Sequence, residues 1–244
     1  QNTPSSQLTM DRLSRAFSSH TDYSALFKFQ DITPAVQSHL SAVYAGLSLA
    51  VVSAAAGVYV HMLTYAGGLL SNLLGFGVMF WLAFDPVKAL TPKRLALLAA
   101  FGFLHGLGLG GLVEVALDID PSIVMTAFLG TVVIFGSFSL AALYAKRRSA
   151  LYLGALLSSA VGVMCLISLF NLFFRSEMAF NVILYGGLIV FCGYVMFDTQ
   201  LIVEKASTGD QDVAWHALEL FIDFAAIFVR LLIILSKNSK KERK

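Results

Sequence analysis

The chain has 244 residues, of which 57% are hydrophobic and 13% are charged. Soluble domains carry about 25% charged residues, so this chain has too little polar surface to cover a water-soluble globule. Its net charge of +2 is small, and the basic residues stand in short clusters between apolar runs, which argues against a nucleic-acid-binding protein. We therefore expect an integral membrane protein.

Apolar runs of the length needed to cross a bilayer, about 20 residues in a helix, recur along the chain. Seven qualify or nearly so, at residues 40–60, 62–84, 95–113, 121–145, 149–174, 178–197 and 213–235. Continuous apolarity excludes the alternating pattern of barrel strands. The sequence therefore predicts an all-α bundle of seven transmembrane helices. Only a weak break separates the first two runs, where Gly67 and Gly68 could supply the turn.

Polar segments flank the predicted bundle of residues 34–236. Residues 1–33 form a Ser-rich arm without the apolar core of a signal peptide, and residues 237–244 form a basic tail. Lys and Arg fall in groups of three before the first run, after the second and after the fourth, a pattern that predicts a cytosolic N-terminus. The basic tail conflicts with seven full crossings unless the last run is re-entrant or tilted, so the side of the tail stays open.

Ionisable side chains interrupt the last apolar run, although a central carboxylate costs at least about 2.5 to 3.5 kcal/mol in a membrane helix. The four residues are His216, Glu219, Asp223 and Arg230. His216 and Asp223, with Glu219 or Leu220 between them, share one helical face by their spacing. We expect this face to point into the bundle. Asp198, at the end of the sixth run, supplies a second carboxylate.

Asp198 and Asp223 lie on consecutive predicted helices, so antiparallel packing could bring their carboxyl groups together. Two carboxyl groups in contact at low dielectric share one proton, and their hard oxygen atoms favour calcium or magnesium when the proton leaves. The hypothesis is a pH-sensing gate that holds calcium transiently. The alternatives are a helix cap at the membrane interface for Asp198, and a buried partner of Arg230 or His216 for Asp223.

Several motifs, in the same order, resemble those of the transmembrane Bax inhibitor motif family, and of its endoplasmic-reticulum members in particular. They are Gly106-Leu107-Gly108-Leu109-Gly110, Asp120-Pro121-Ser122-Ile123, Ala127-Phe128-Leu129-Gly130-Thr131, Phe197-Asp198-Thr199-Gln200 and Asp223-Phe224. The likeness extends over nearly all of the chain from about Tyr23. It implies a seven-helix bundle that leaks calcium from the endoplasmic reticulum in a pH-sensitive way, lowers stored calcium and suppresses apoptosis.

The resemblance also implies roles for individual residues. It makes Asp198 and Asp223 the pH sensor, and it makes Arg94 the candidate for a basic latch on that sensor, with Lys93 second. The alternative for Arg94 is a basic anchor at the cytosolic end of a membrane helix. The residues themselves, independently of the resemblance, make three further side chains candidates to line the ion path: His216 and Glu219 in the last run, and Glu114, an acid near a helix end that follows the glycine-rich run. For Glu114, solvation at the membrane interface is an equal alternative.

The expected partners are calcium as the transported ion, protons, membrane lipids and Bcl-2-type cell-death regulators, with no resident cofactor. Two other classes stay open beside the leak. One is a non-conducting membrane scaffold that regulates cell-death proteins. The other is an aspartyl intramembrane protease, which the sequence disfavours because neither Asp198 nor Asp223 lies in a Gly-x-Gly-Asp motif. We therefore expect a protein that is not an enzyme.

Overall fold

Seven α-helices account for most of the chain that the structure, a computed structural model, describes, namely residues 33–145 and 151–242. They are α1 (Pro34–Thr64), α2 (Leu69–Phe84), α3 (Pro92–Ile119), α4 (Ser122–Tyr144), α5 (Leu153–Phe174), α6 (Glu177–Ser207, with a π-helical turn at Val182–Gly186) and α7 (Val213–Glu242). Helix is the only regular secondary structure in these described residues, which confirms the predicted all-α class. The predicted arm, apart from Thr33, and the basic cluster at 146–148 lie outside the described residues.

Five of the helices are long and apolar enough to cross a membrane, namely α1, α3, α4, α5 and α6. The apolar α2 has only 16 residues. The 30-residue α7 is long enough, but it carries the ionisable side chains that the sequence singled out. The molecule is therefore a helical membrane bundle in which α2 and α7 differ from a simple apolar span.

The predicted break between the first two apolar runs is a true turn. Tyr65, Gly67 and Gly68 have positive φ angles of 53°, 152° and 88°. Glycine adopts such angles without the steric strain that a Cβ brings, which confirms the turn expected at the glycine pair. Elsewhere, Thr33 and Thr91 cap α1 and α3 with their hydroxyl groups, each just before a proline.

The most polar of the long helices, α7, lies at the centre of the bundle and packs against α1, α3, α4 and α6. Its residues Ala217, Leu220 and Ile227 are 0% exposed. By contrast, α5 packs on α6 and leaves most of its side chains exposed. The neighbouring helices also bury His216 and Asp223, which are 0% and 3% exposed, and this explains how a helix with these ionisable groups is accommodated within the bundle.

The last helix is continuous and runs from one end of the bundle to the other. Near its start, His216 contacts His39 in the second turn of α1. Near its end, Lys237 Nζ lies 2.6 Å from Oδ1 of Asn181, in the first turns of α6. The structure thus has no re-entrant turn within Val213–Glu242, and the end of α7 lies opposite the start of α1.

Close backbone contact joins α1 to α3. A Cβ added at Gly106 of α3 would lie 2.0 Å from the carbonyl oxygen of Ala54, and one added at Gly102 would lie 2.4 Å from that of Ala50. Small residues spaced four apart allow helices in membranes to approach in this way. This packing holds α3, whose first turn carries Arg94, firmly against the helix that follows the N-terminal arm.

Candidate functional site

A pair of carboxyl groups lies between α6 and α7. The side chains of Asp198 and Asp223 are hydrogen-bonded to each other. Asp223 is only 3% exposed, and its Oδ2 is buried without a hydrogen-bond partner. A hydrogen bond between two carboxyl groups requires a proton on one of them. The structure therefore brings together the two acids that the sequence selected, in an arrangement that holds one proton.

The antiparallel packing of α6 and α7 produces this contact. The two helices are joined by the short segment 208–212 and therefore run antiparallel. Residues that face each other across the two helices are close in sequence near this connection and further apart in sequence away from it. Nearer the connection, Lys205 Nζ lies 3.3 Å from Glu219 Oε1, and Trp215 Nε1 donates to the same oxygen at 2.7 Å. Glu219 thus lies one helical turn from Asp223, with its Oε2 buried and unpaired.

A buried pair of imidazoles lies beyond Glu219, at the end of the bundle where α7 begins. His39 Nε2 and His216 Nδ1 are 2.9 Å apart, and the two side chains are 5% and 0% exposed. His216 Nε2 is buried without a partner. One face of α7 therefore presents three side chains that each have a buried polar atom without a partner, at positions 216, 219 and 223. Such atoms are ordinarily satisfied by internal water.

Arg94, the candidate latch, binds a different acid in this structure. Its Nη2 donates to both carboxylate oxygens of Asp212, at 2.6 and 2.7 Å, and its side chain is 0% exposed. Its Nη1 also donates to the carbonyl oxygens of Leu82 and Val87, at 3.4 and 2.9 Å. Asp212 in turn accepts from the backbone N–H of Trp215 as the N-cap of α7. Arg94 therefore joins the start of α3, the end of α2 and the start of α7.

The sequence reasoning did not select Asp212 or His39. For Asp212 a signal exists, because an aspartate directly before a helix is a common N-cap, but this signal does not reveal its arginine partner. The nearby Lys93, second candidate for the latch, lies 2.7 Å from Asp85 Oδ2. Its ammonium group lowers the pKa of the Asp85 carboxyl by hydrogen bonding.

Glu114 lies at the opposite end of the bundle from the imidazole pair. Its Oε2 is 3.8 Å from Nε2 of His61, near the end of α1. The other ring nitrogen of His61 is 2.7 Å from the carbonyl oxygen of Ala66, in the turn before α2. Glu114 is thus associated with the α1–α2 turn, and the structure does not bring it to the Asp198–Asp223 pair.

The donor set around the carboxyl pair is small for a resident metal. Among the described residues, no group of three or more His, Cys, Asp or Glu side chains is arranged to hold a metal ion. Calcium takes six to eight oxygen ligands, often including water. Two carboxyl groups suit a proton or a passing hydrated cation better than a tightly bound ion.

The bundle and its buried carboxyl pair define a polytopic membrane protein with two hydrogen-bonded acids among its helices. The family model described as "Inhibitor of apoptosis-promoting Bax1" matches residues 36–240. The chain is 50% identical over 231 residues to "Bax inhibitor 1" of Bos taurus and to that of Homo sapiens, which covers 93% of this chain and 98% of each relative. It is 45% identical to "Bax inhibitor 1" of Arabidopsis thaliana over 236 residues, 94% of this chain and 95% of the relative. The chain belongs to the Bax inhibitor family.

Proposed function

We propose that this membrane protein is a pH-sensitive calcium leak of the endoplasmic reticulum, which lowers stored calcium and thereby suppresses apoptosis. The observation that carries the proposal is the hydrogen-bonded pair Asp198 and Asp223 between two helices of the bundle. In this proposal the pair is a gate, and the protein has no enzymatic activity. Membership of the Bax inhibitor family supports the link to apoptosis.

The closed state depends on the shared proton. With that proton in place, the hydrogen bond ties α6 to α7 across the path. When it leaves, two unit charges about 4 Å apart repel by about 4 kcal/mol at an effective dielectric of about 20, which exceeds the roughly 0.5 to 1.5 kcal/mol that a hydrogen bond contributes. The helices then separate, water enters, and a cation replaces the proton between the carboxylates. We therefore expect the leak to rise with pH.

The path that we propose reaches the gate from the end where α7 begins. His216 and Glu219 lie on the face of α7 that also carries Asp223, and each has a buried polar atom without a partner. Hydration of these atoms would give a water-lined approach. Glu114 could attract cations at the other end, where it lies about 38% exposed beside His61.

For orientation we propose a cytosolic N-terminus, supported by the alternation of Lys and Arg between the apolar runs. The start of α7 lies at the same end of the bundle as the start of α1, through the contact between His216 and His39. The imidazole pair would then face the cytosol. Protease protection of tags placed at each terminus, in sealed microsomes, tests this orientation.

The decisive experiment measures calcium efflux from proteoliposomes that contain the purified protein, over a series of pH values. Asp198→Asn and Asp223→Asn are compared with the unaltered chain. Asp118→Asn is the matched control, because it removes a carboxylate from an exposed position near the end of α3. We expect the pH dependence to flatten in both gate variants and to persist in the control.

Two results would contradict the proposal. Absence of any protein-dependent leak would favour a non-conducting scaffold that regulates cell-death proteins. A leak whose pH dependence survives in both gate variants would remove the carboxyl pair from the gating mechanism. Incubation of the same preparation with a labelled transmembrane peptide tests the protease alternative, for which we expect no cleavage.

A further inference from the structure

The contact between α6 and α7 carries polar groups along its whole length. On α7, Asp223, Arg230 and Lys237 recur every seven residues and so share one face of the helix. Across the contact, Asp198 faces the first of these residues and Asn181 faces the last. Arg230 lies between them, seven residues beyond the gate on the side away from the imidazole pair.

The partners of Arg230 leave its charge uncompensated. Its guanidinium carbon lies 4.3 Å from the ring centre of Phe191 on α6. Its Nη1 donates to the carbonyl oxygen of Ala226, one turn earlier in α7, at 2.9 Å, and its Nε is buried without a partner. Among the described residues, none of these contacts is with a carboxylate, so a positive charge is present at the contact between the two helices.

The backbone of α6 is shaped to admit this side chain. A Cβ added at Gly187 would lie 2.4 Å from Nε of Arg230 and 2.9 Å from Nη2. Gly187 directly follows the π-helical turn Val182–Gly186, and such turns in helices often occur at functional sites. Gly187 and Phe191, one turn apart, together form a seat for the guanidinium on the surface of α6.

From this arrangement we infer that Arg230 is a charge-selecting barrier on the cation path, placed in series with the carboxyl gate. The inference rests on the proposed calcium leak. The rise of about 1.5 Å per residue puts Arg230 about 10 Å from Asp223 along α7, so a cation that passes the gate next meets a fixed positive charge. Charged groups lining a pore act as electrostatic barriers of this kind. The barrier limits the leak even when the gate is open.

The test compares calcium efflux from proteoliposomes at a pH where the unaltered protein leaks. Arg230→Gln and Arg230→Met remove the charge, Arg230→Lys retains it, and Arg230→Glu reverses it. A doubly charged ion that passes about 5 Å from a unit positive charge in water-like surroundings is slowed by about tenfold. We therefore expect the neutral variants to leak about tenfold faster than the unaltered chain, the lysine variant to match it, and the glutamate variant to leak fastest.

Lys241→Gln is the matched control, because it removes the same charge from an exposed position in the last turn of α7, and we expect its efflux to be unchanged. Circular dichroism and gel filtration confirm that each variant is folded, and the comparison of lysine with glutamine remains decisive if the glutamate variant does not fold. Efflux that follows side-chain size instead of charge, or that is equal in the lysine and glutamine variants, would overturn the inference.

The outcomes separate this inference from the proposed function. A pH-dependent leak in the unaltered chain that Arg230→Gln leaves unchanged would refute the barrier and leave the gate intact. If the unaltered chain produces no leak, the proposed function fails, and the barrier fails with it. A faster leak in Arg230→Gln that is still abolished at low pH would support two separate elements in series.

Discussion

Substitution of Gly106 by alanine tests the close contact between α1 and α3. The new Cβ would lie 2.0 Å from the carbonyl oxygen of Ala54, and 2.7 and 2.8 Å from the carbonyl carbon and Cα of the same residue. All three atoms belong to backbone, so no side chain can rotate away to make room. The helices must separate instead, and the contacts along α1 and α3 must loosen with them.

The expected magnitude follows from two opposing effects. Overpacking of a well-packed contact costs about 1 to 3 kcal/mol, and the rigid backbone at this site favours the upper end of that range. About 1 kcal/mol of this cost is offset, because alanine has a higher helix propensity than glycine. We expect a net destabilisation of about 2 kcal/mol, or a fall of about 4 to 8 °C in the thermal midpoint for a chain of this size.

The assay is thermal unfolding in detergent, followed by circular dichroism. Gly136→Ala is the matched control, because a Cβ added there, in α4, meets no atom within 4 Å. The control should keep its midpoint or gain slightly from helix propensity. Equal midpoints for Gly106→Ala and Gly136→Ala would refute the argument that backbone contact between α1 and α3 limits the space at Gly106.

Three further predictions concern the end of the bundle where α7 begins. Arg94→Met removes the buried two-pronged partner of Asp212 and leaves its carboxylate with the exposed Lys88, whose Nζ lies 3.5 Å from Oδ2. Because Lys88 retains part of the compensation, we expect a loss of about 3 kcal/mol, the lower end of the range for breaking a buried ion pair, in the same assay. Adding Asp212→Asn should recover part of this loss, and no recovery would contradict the pairing. Lys93 holds the pKa of Asp85 below its usual range. This pair therefore stabilises the fold above about pH 4, and its contribution is lost as the pH falls through the lowered pKa. Asp85→Asn should make the unfolding midpoint depend less on pH in the acid range, and an unchanged dependence would exclude the contact. His39→Phe deprives a buried imidazole nitrogen of its partner and should lower the unfolding free energy by about 1 to 3 kcal/mol, and an unchanged midpoint would show that water replaces the partner.

The gate candidates could be predicted from the sequence because membrane helices make polar residues conspicuous. An acid in an apolar run has few alternatives to facing the bundle interior. This argument selects Asp198, Glu219 and Asp223, and the family resemblance singles out the two aspartates. Their contact follows from the short connection between α6 and α7, which forces the two helices to run antiparallel. The same argument marked Arg230 as costly but did not identify the seat formed by Phe191 and Gly187.

The partners of other charged residues could not be predicted in this way. Several acidic residues could pair with Arg94 in different packings of the same helices, and the pattern of apolar residues does not distinguish among these acids. Its pairing with Asp212 depends on where the start of α3 lies relative to the start of α7. Likewise, the contact between His39 and His216 joins residues 177 positions apart and leaves no local signal in the sequence.

Composition and residue spacing are enough to predict that the protein lies in a membrane, how many helices it has and which face of the last helix turns inward. Each of these properties depends on where apolar and ionisable residues stand along one helix. The packing of the helices was needed to show that α7 lies at the centre and runs the full length of the bundle. It was also needed to show which acid binds Arg94 and how the Arg230 guanidinium is seated. The spacing of residues along a helix fixes its faces, whereas the choice of partner depends on how the helices are arranged around one another.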